Sequence, residues 1–405
     1  METITIERLG AAGDGVAGDI FAPFTLPGEI ARGVVTEGRM GAPEIMTPSP
    51  DRATPGCKHF GQCGGCALQH ASDAFLAGWK RERIAAALTA RGVEGYELRQ
   101  TATSPPRSRR RAGFSARRTK KTAIAGFHER AGDGIVALEM CDVVAPPLLF
   151  ALEAARDAAR LGASRQGEIR VMATLSEAGI DLAVEGAKSL ERAALAEAAA
   201  LAEAHDLARL SWNGDVVAAR RPAAHRFGAA LVTPPPGGFL QATREGEAAL
   251  LAAAREAVGG ARRIADLFAG CGAFSLPLAE EAEVLAIEGD AAMVAAMEAG
   301  WRDARGLRKI AARTRDLFRR PLLSPELAQL DAVVIDPPRA GAAAQMAELA
   351  RSGPPRIAAL SCNPATFARD ARTLIDGGYR LDWILPVDQF LWSAHVELAA
   401  QFSRD

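Results

Sequence analysis

No stretch of this 405-residue chain approaches the roughly 20 consecutive apolar residues that a membrane-spanning helix needs. The opening Met1-Glu2-Thr3 has neither the basic start nor the apolar run of a secretory signal. A cytoplasmic location with no membrane partner is therefore the expectation. An excess of charge is missing too: 48 Lys and Arg stand against 49 Asp and Glu, a net of −1. Any affinity for nucleic acid must then come from local clustering rather than from global charge. There is no internal repeat, which excludes repeat architectures, and the alanine-rich stretches are helix formers rather than disordered low complexity. What remains is an ordinary composition, 49% hydrophobic and 24% charged, long enough for two or three domains and with no obligate protein partner evident.

Up to residue 48 the chain alternates apolar and polar residues between glycines, as in Ile4-Thr5-Ile6, Gly13-Asp14-Gly15 and Gly28-Glu29-Ile30, which predicts a small β-barrel or meander. A cysteine loop, Cys57 to Cys66, follows, and then an amphipathic helix over Leu76 to Arg91 with Lys80, Arg81 and Arg83 on a basic face. Residues 103 to 235 mix strand-like runs with alanine-rich helices, an α+β pattern. From about residue 240, helices alternate with short β runs at Ile264 to Phe268, Val284 to Ile287, Ala332 to Ile335 and Ile357 to Ser361. That alternation predicts an α/β unit with a parallel sheet and crossover helices.

The ends of those runs carry the chemistry. Asp266-Leu267-Phe268-Ala269-Gly270-Cys271-Gly272 leaves a strand and opens a helix, so its glycines let the backbone approach a cofactor closely. Glu288 ends the next run, where a carboxylate can hold the two hydroxyls of a ribose. The third glycine of a dinucleotide fingerprint and a Walker lysine are both lacking, which favours S-adenosylmethionine (SAM) over NAD or ATP. Asp336-Pro337-Pro338-Arg339 stands at another strand end, its carboxylate free to orient a cofactor or a base and its prolines stiffening the turn. Cys362, in Ser361-Cys362-Asn363-Pro364, lies just past the last run. A thiol is strongly nucleophilic even when only a few per cent is ionised, so Cys362 is the candidate nucleophile, against the alternative of a buried structural cysteine. Glu397, in His395-Val396-Glu397, is the candidate base, although a glutamate there is more often turned to solvent.

Taken in order, Cys57-x5-Cys63-Gly64-Gly65-Cys66-x2-Gln69-His70, Phe239-Leu240-Gln241, Asp266 to Gly272, Asp336-Pro337-Pro338-Arg339-Ala340-Gly341, Ser361 to Pro364 and His395 to Glu397 resemble the bacterial RNA uracil-5 methyltransferases. The resemblance implies 5-methyluridine formation in ribosomal or transfer RNA, with Cys362 as nucleophile and Glu397 as proton acceptor. It places SAM contacts on Gln241, Phe268, Glu288, Asp336 and Asp316. The chain departs from the family where Gly272-Ala273-Phe274 replaces Gly-Asn-Phe, and where Met297-Glu298-Ala299-Gly300 replaces an asparagine-rich helix. The fold expected is a Rossmann-like SAM methyltransferase domain (72–102 and 236–405), an α+β central domain carrying a metal loop (49–71 and 103–235) and an N-terminal TRAM-type, OB-like β module (1–48).

Cys57, Cys63 and Cys66 need a fourth ligand, and Cys141 is the one remaining cysteine outside the catalytic half. Four thiolates suit an iron-sulfur cluster or structural zinc, and spacing does not choose between them. The resemblance favours [4Fe-4S], in a structural or RNA-positioning role. Arg107 to Lys121 carries eight cations around Phe114 and reads as a phosphate-binding surface. A uridine in a helix hides its carbons 5 and 6, so a looped or single-stranded RNA is expected, with 23S rRNA preferred and tRNA the alternative. An RNA cytosine-5 methyltransferase and a non-catalytic RNA-binding protein are the competing readings.

Overall fold

In the computed structural model, which describes residues 1–164 and 167–405, the β runs of the C-terminal half become neighbours in one sheet. Its strands lie in the order Ile310–Thr314, Glu283–Glu288, Arg263–Leu267, Ala332–Ile335, Arg356–Ser361, Glu397–Ser403 and Arg380–Asp388. The first five are mutually parallel, whereas Glu397–Ser403 runs antiparallel between its two neighbours. Alternate residues go to opposite faces, as the period of two requires. Ile264, Val284, Ala332, Val334, Ala358 and Leu360 enter one core; Ala265, Leu267, Val333, Ile335, Ile357 and Ala359 enter the other. Burial on both faces explains why these runs read as continuously apolar.

The helix after the cysteine loop spans Asp73–Thr89, started by Ser72, whose hydroxyl accepts from the Phe75 N–H at 3.2 Å. Its Ile84 and Leu88 lie in the second core of the parallel sheet, and the strands Glu97–Leu98 and Ala102–Thr103 both pair with Arg380–Asp388. Its expected basic face is not turned to solvent. Lys80 is wholly buried against Asp388 at 2.5 Å, Arg81 donates to the Leu98 carbonyl at 3.0 Å, and Arg83 donates to the Ala394 carbonyl. These cations hold other segments of this chain in place.

A seven-stranded sheet, in the order Ile135–Ala137, Ala123–His128, Arg111–Arg118, Glu168–Ser176, Gly179–Glu185, Arg209–Trp212 and Asp215–Ala219, forms the middle of the molecule. Helices Ala151–Gly162 and Arg192–Ala204 contribute alanines and Leu201 to its core. The run Arg107 to Lys121 is likewise not one phosphate surface. Arg109 and Arg110 are turned inward, Arg110 pairs with Glu247 at 2.5 Å, Arg107 pairs with Asp142 at 2.8 Å, and Arg111 donates to the Gly237 carbonyl at 3.1 Å. Alternation in the strand Arg111–Arg118 leaves Arg118 exposed, followed by Lys120 and Lys121 in the turn.

The N-terminal residues form a six-stranded sheet in the order Glu2–Thr5, Ile30–Thr36, Arg39–Thr47, Ile20–Ala22, Gly15–Ala17 and Arg8–Leu9. Its small core of Ile6, Ala22, Ala31 and Met40 is supplemented by the buried Glu29, which pairs with Arg52 at 2.5 Å. Leu9 and Leu26 pack with Leu68, Leu76 and Trp79, so this sheet is seated on the cysteine loop and the helix that follows it. Among the described residues no helix is long and apolar enough to cross a membrane.

Candidate functional site

Three adjacent strands end side by side. Ser361 pairs with Leu398 in antiparallel register, so the next position of each strand brings Cys362 opposite Glu397. Ala332–Ile335 lies on the other side of Arg356–Ser361, in parallel register, and delivers Asp336 one residue past its end. The carboxyl ends of the parallel strands thus gather a thiol and two carboxylates, the edge where open α/β sheets bind ligands. Asn363 caps the following helix, Pro364–Asp376, by accepting from the Ala365 N–H at 3.1 Å, and its side-chain amide donates to the Arg339 carbonyl at 3.1 Å. The turn after Asp336 and the turn after Cys362 are therefore tied to one another.

Glu397 is 8% exposed, contrary to the usual exposure of such a residue. Burial, reinforced by the negative charge of Asp336, pushes its carboxyl up to about 8. Asp336 is pushed up to about 7 by burial, opposed by a hydrogen bond from Gln241 Nε2 to its Oδ2 at 3.3 Å. Burial also raises the Cys362 thiol, with Glu397 and Asp336 adding to the rise and Arg339 opposing it. The site is short of positive charge: two buried carboxylates and a thiol share it. A cationic ligand at these strand ends would favour the ionised forms of all three.

The glycine turn has the form expected of it. Gly270 and Gly272 adopt φ of 56° and 93°, and a Cβ on Gly272 would meet Met297 Cγ at 2.8 Å and Leu276 Cδ1 at 2.9 Å. Phe268 also has positive φ, 63°, and its ring lies 5.4 Å from that of Phe318. Glu288 accepts from the Gly270 N–H and the Asp290 N–H, both at 2.9 Å, which fixes its carboxylate at the turn. Asp316 stands beyond the end of Ile310–Thr314 and accepts from the Phe318 N–H at 2.9 Å. Beneath the turn, Asp266 is fully buried with Ser275 on Oδ2 at 2.5 Å and no partner on Oδ1, and burial pushes it up to about 7. Cys271 is buried in the core beside the turn, as a small filler. The two departures from the family lie near this edge. Ala273 packs against the core, and a Cβ on Gly300 would come within 2.6 Å of Val232, so that helix trades side chains for close packing.

The four other cysteines, Cys57, Cys63, Cys66 and Cys141, line one cavity of about 330 Å³ together with Gln69, Arg109, Arg111 and Met140. Cys63 and Cys66 are buried, and burial pushes the Cys66 thiol up to about 12. All six cysteines of the chain are free thiols, and among the described residues no three His, Cys, Asp or Glu side chains stand in metal-binding geometry. Four thiols converging on one cavity nonetheless form a donor set suited to a four-coordinate thiophilic group. Arg109 connects this cavity to the strand-end site: it lines the cavity, its guanidinium carbon lies 5.3 Å from the Phe390 ring, and it is close enough to Glu397 to feel its charge.

Folding adds two groups that no sequence signal marks: Gln389, whose side-chain amide reaches both Gln241 and Glu397, and the buried Lys80–Asp388 pair beside it. Gln389 and Asp388 lie inside an apolar stretch with no spacing that marks them. Lys80 was visible only as one cation of a helix.

A family model described as tRNA (Uracil-5-)-methyltransferase matches residues 235–404. Over 405 aligned residues the chain is 43% identical to an RNA methyltransferase of Brucella suis, itself uncharacterized, covering 99% of this chain and 97% of that one. It is 34% identical to the 23S rRNA (uracil(1939)-C(5))-methyltransferase of Chromohalobacter salexigens, covering 99% of this chain and 89% of the relative. Among solved structures, the tRNA (uracil-54, C5)-methyltransferase of Pyrococcus abyssi in complex with S-adenosyl-L-homocysteine superposes with a TM-score of 0.77 at 22% identity, covering 99% of both chains. That likeness establishes the α/β methyltransferase fold.

Proposed function

The chain belongs to the RNA uracil-5 methyltransferase family, and from that premise we propose that it methylates carbon 5 of one uridine in 23S rRNA, using SAM and a transient bond from Cys362 to carbon 6. The observation that carries this reading is the meeting of Cys362, Asp336 and Glu397 at three neighbouring strand ends. Carbon 5 of uracil is a poor nucleophile until something adds to carbon 6. The Cys362 thiolate forms the S–C6 bond, and the electron pair of the C5–C6 double bond moves into an enolate. SAM, when bound, supplies an electrophilic methyl group on a sulfonium. Carbon 5 of the enolate would take that methyl group, with S-adenosylhomocysteine as the by-product. Glu397 then removes the proton from carbon 5, the C5–C6 double bond reforms, and Cys362 is expelled as thiolate.

The residues proposed to hold SAM are Gln241, Phe268, Glu288, Asp316 and Asp336, all near the carboxyl ends of the parallel strands. The carboxyl groups of Asp336 and Glu397, gathered at neighbouring strand ends, fit a ligand that brings positive charge. Cys57, Cys63, Cys66 and Cys141 would hold a [4Fe-4S] cluster in a structural or RNA-positioning role, and the cavity they share supports that assignment over a dispersed set of thiols. In this reading residues 1–48 form a TRAM-type, OB-like module, 49–71 with 103–235 the cluster and RNA-binding domain, and 72–102 with 236–405 the methyltransferase domain. The 23S rRNA relative supports ribosomal RNA over tRNA. The cytoplasm, where those RNAs are made, is the proposed location.

The covalent step is tested with RNA in which 5-fluorouridine replaces uridine. Fluorine at carbon 5 cannot leave as a proton does, so the adduct persists. A protein–RNA band that survives denaturing electrophoresis, formed only with SAM and absent in Cys362→Ala, supports the mechanism. An equally strong band from Cys362→Ala removes it.

A further inference from the structure

We propose that Gln389 is a positioning residue for this reaction: its amide anchors the carboxylate of Glu397 and ties it, through Gln241, to Asp336. The proposal rests on the reading of Glu397 as the base. The Gln389 side chain is 1% exposed, and both its amide nitrogen and its amide oxygen are engaged. Oε1 accepts from the backbone N–H of Thr243 at 3.2 Å, while Nε2 donates to Gln241 Oε1 at 2.7 Å and to Glu397 Oε2. The Thr243 N–H can only donate, so the amide cannot be flipped, and its NH₂ must face Glu397 and Gln241. The Gln241 NH₂ is turned in consequence toward Asp336 Oδ2, at 3.3 Å. Two amides thus bridge the two acidic groups of the site.

The surroundings are shaped to this side chain. A Cβ on Gly246 would lie 2.7 Å from Gln389 Oε1 and 2.8 Å from its Cβ, so the first turn of helix Arg244–Val258 closes on Gln389 only because residue 246 is glycine. The preceding residue, Asp388, is held by Lys80 at 2.5 Å, and the Phe390 carbonyl accepts from the same ammonium at 3.2 Å. Gln389 is therefore clamped from both sides in sequence and from above by the helix.

An N–H donor to a carboxylate favours its ionised form. Burial, Asp336 and Asp388 work against ionisation of Glu397, and Gln389 and Arg109 work for it. Gln389 also occupies Oε2, which leaves Oε1 as the oxygen available to take a proton.

The test uses Gln389→Leu and Gln389→Met, which keep most of the volume and remove the donor, assayed on the cluster-replete full chain with unmodified 23S rRNA and SAM. We expect kcat to fall about tenfold or more at pH 7.5, with KM for SAM and RNA within about twofold. The alkaline rise of the pH–rate profile should move upward by about one unit, and the protein–RNA adduct should accumulate on ordinary uridine, because elimination is slowed. If the apolar variants do not fold, Gln389→Glu keeps the shape and adds a third acidic group, and the profile should move up further. A wild-type profile in any folded variant, with no adduct, overturns the proposal. Glu397→Gln is run alongside. Wild-type turnover in Glu397→Gln would remove the base assignment itself, whereas a stalled Glu397→Gln beside an unchanged Gln389→Leu would reject the role of Gln389 alone.

Discussion

Replacing Lys80 by methionine would remove a cation from one of the most buried ion pairs of the molecule. Lys80 is 0% exposed and Asp388 1%, with Nζ and Oδ2 2.5 Å apart. The ammonium also donates to the Phe390 carbonyl at 3.2 Å, and Asp388 Oδ1 accepts from the Phe390 N–H at 3.0 Å. Methionine fills most of the volume, so the cavity left behind is small. The loss comes from a carboxylate stranded out of water and from an orphaned carbonyl, and breaking such a pair costs ~3–5 kcal/mol. Asp388→Leu strands the ammonium instead and should cost a similar amount. The double variant Lys80→Met/Asp388→Leu leaves no buried charge, and hydrophobic replacements of buried pairs are often close to neutral, so its loss should stay within ~2 kcal/mol. The coupling between the two sites is then at least ~4 kcal/mol, far above the few tenths expected of independent positions. Urea unfolding followed by circular dichroism, with the midpoint and m determined for all four proteins, measures it. A loss below about 1 kcal/mol for Lys80→Met, or a double variant whose loss equals the sum of the singles, would refute the reasoning.

Other outcomes follow from the same geometry. Glu397→Gln should lose about 10²- to 10⁴-fold in turnover while still forming the adduct with RNA, detected on denaturing gels after short incubations. In the proposed mechanism Glu397, raised to about 8, and the Cys362 thiol, raised above its ordinary value, must both be ionised, so kcat/KM should keep climbing with pH beyond 8, more steeply below that value than above it. The same Glu397 holds its proton in the folded state at pH values where the unfolded chain, near 4.3, has released it. Its contribution to stability therefore falls as pH rises from about 4.3 to about 8, and unfolding free energies measured across that window in wild type and Glu397→Gln should diverge accordingly. Gly126→Ala would place a Cβ 1.8 Å from the Val136 carbonyl oxygen, a backbone atom that cannot step aside, so its thermal midpoint should drop by an amount matching ~1–3 kcal/mol or more.

The parallel sheet was legible because its strands are buried on both faces: Ala332–Ile335 is wholly buried and reads as an unbroken apolar run. The strand-end positions of Glu288 and Asp336 were legible for the same reason, since each is the first polar residue where an apolar run stops, and Cys362 stands one residue past the polar Ser361 that ends another. The fate of the cations was not. Lys80, Arg109 and Arg110 look like solvated or phosphate-binding charges in a one-dimensional reading, and the partners of Lys80 and Arg110, Asp388 and Glu247, are 308 and 137 residues away. Burial of Glu397 depended on antiparallel insertion of Glu397–Ser403 between two strands, a topological choice that no local pattern specifies. Gln389 was invisible for a further reason: an amide has no charge to mark it, and its meaning lies in the three partners that folding brings to it.

Nucleoside mass spectrometry after incubating anaerobically purified protein with labelled SAM and, separately, unmodified large-subunit ribosomal RNA and transfer RNA tests the central claim most directly. Labelled 5-methyluridine is expected in the ribosomal RNA, abolished in Cys362→Ala. Label in transfer RNA alone would contradict the proposed substrate, label in 5-methylcytidine would contradict the proposed base, and no label in either RNA from folded, cluster-replete protein would contradict the proposed reaction.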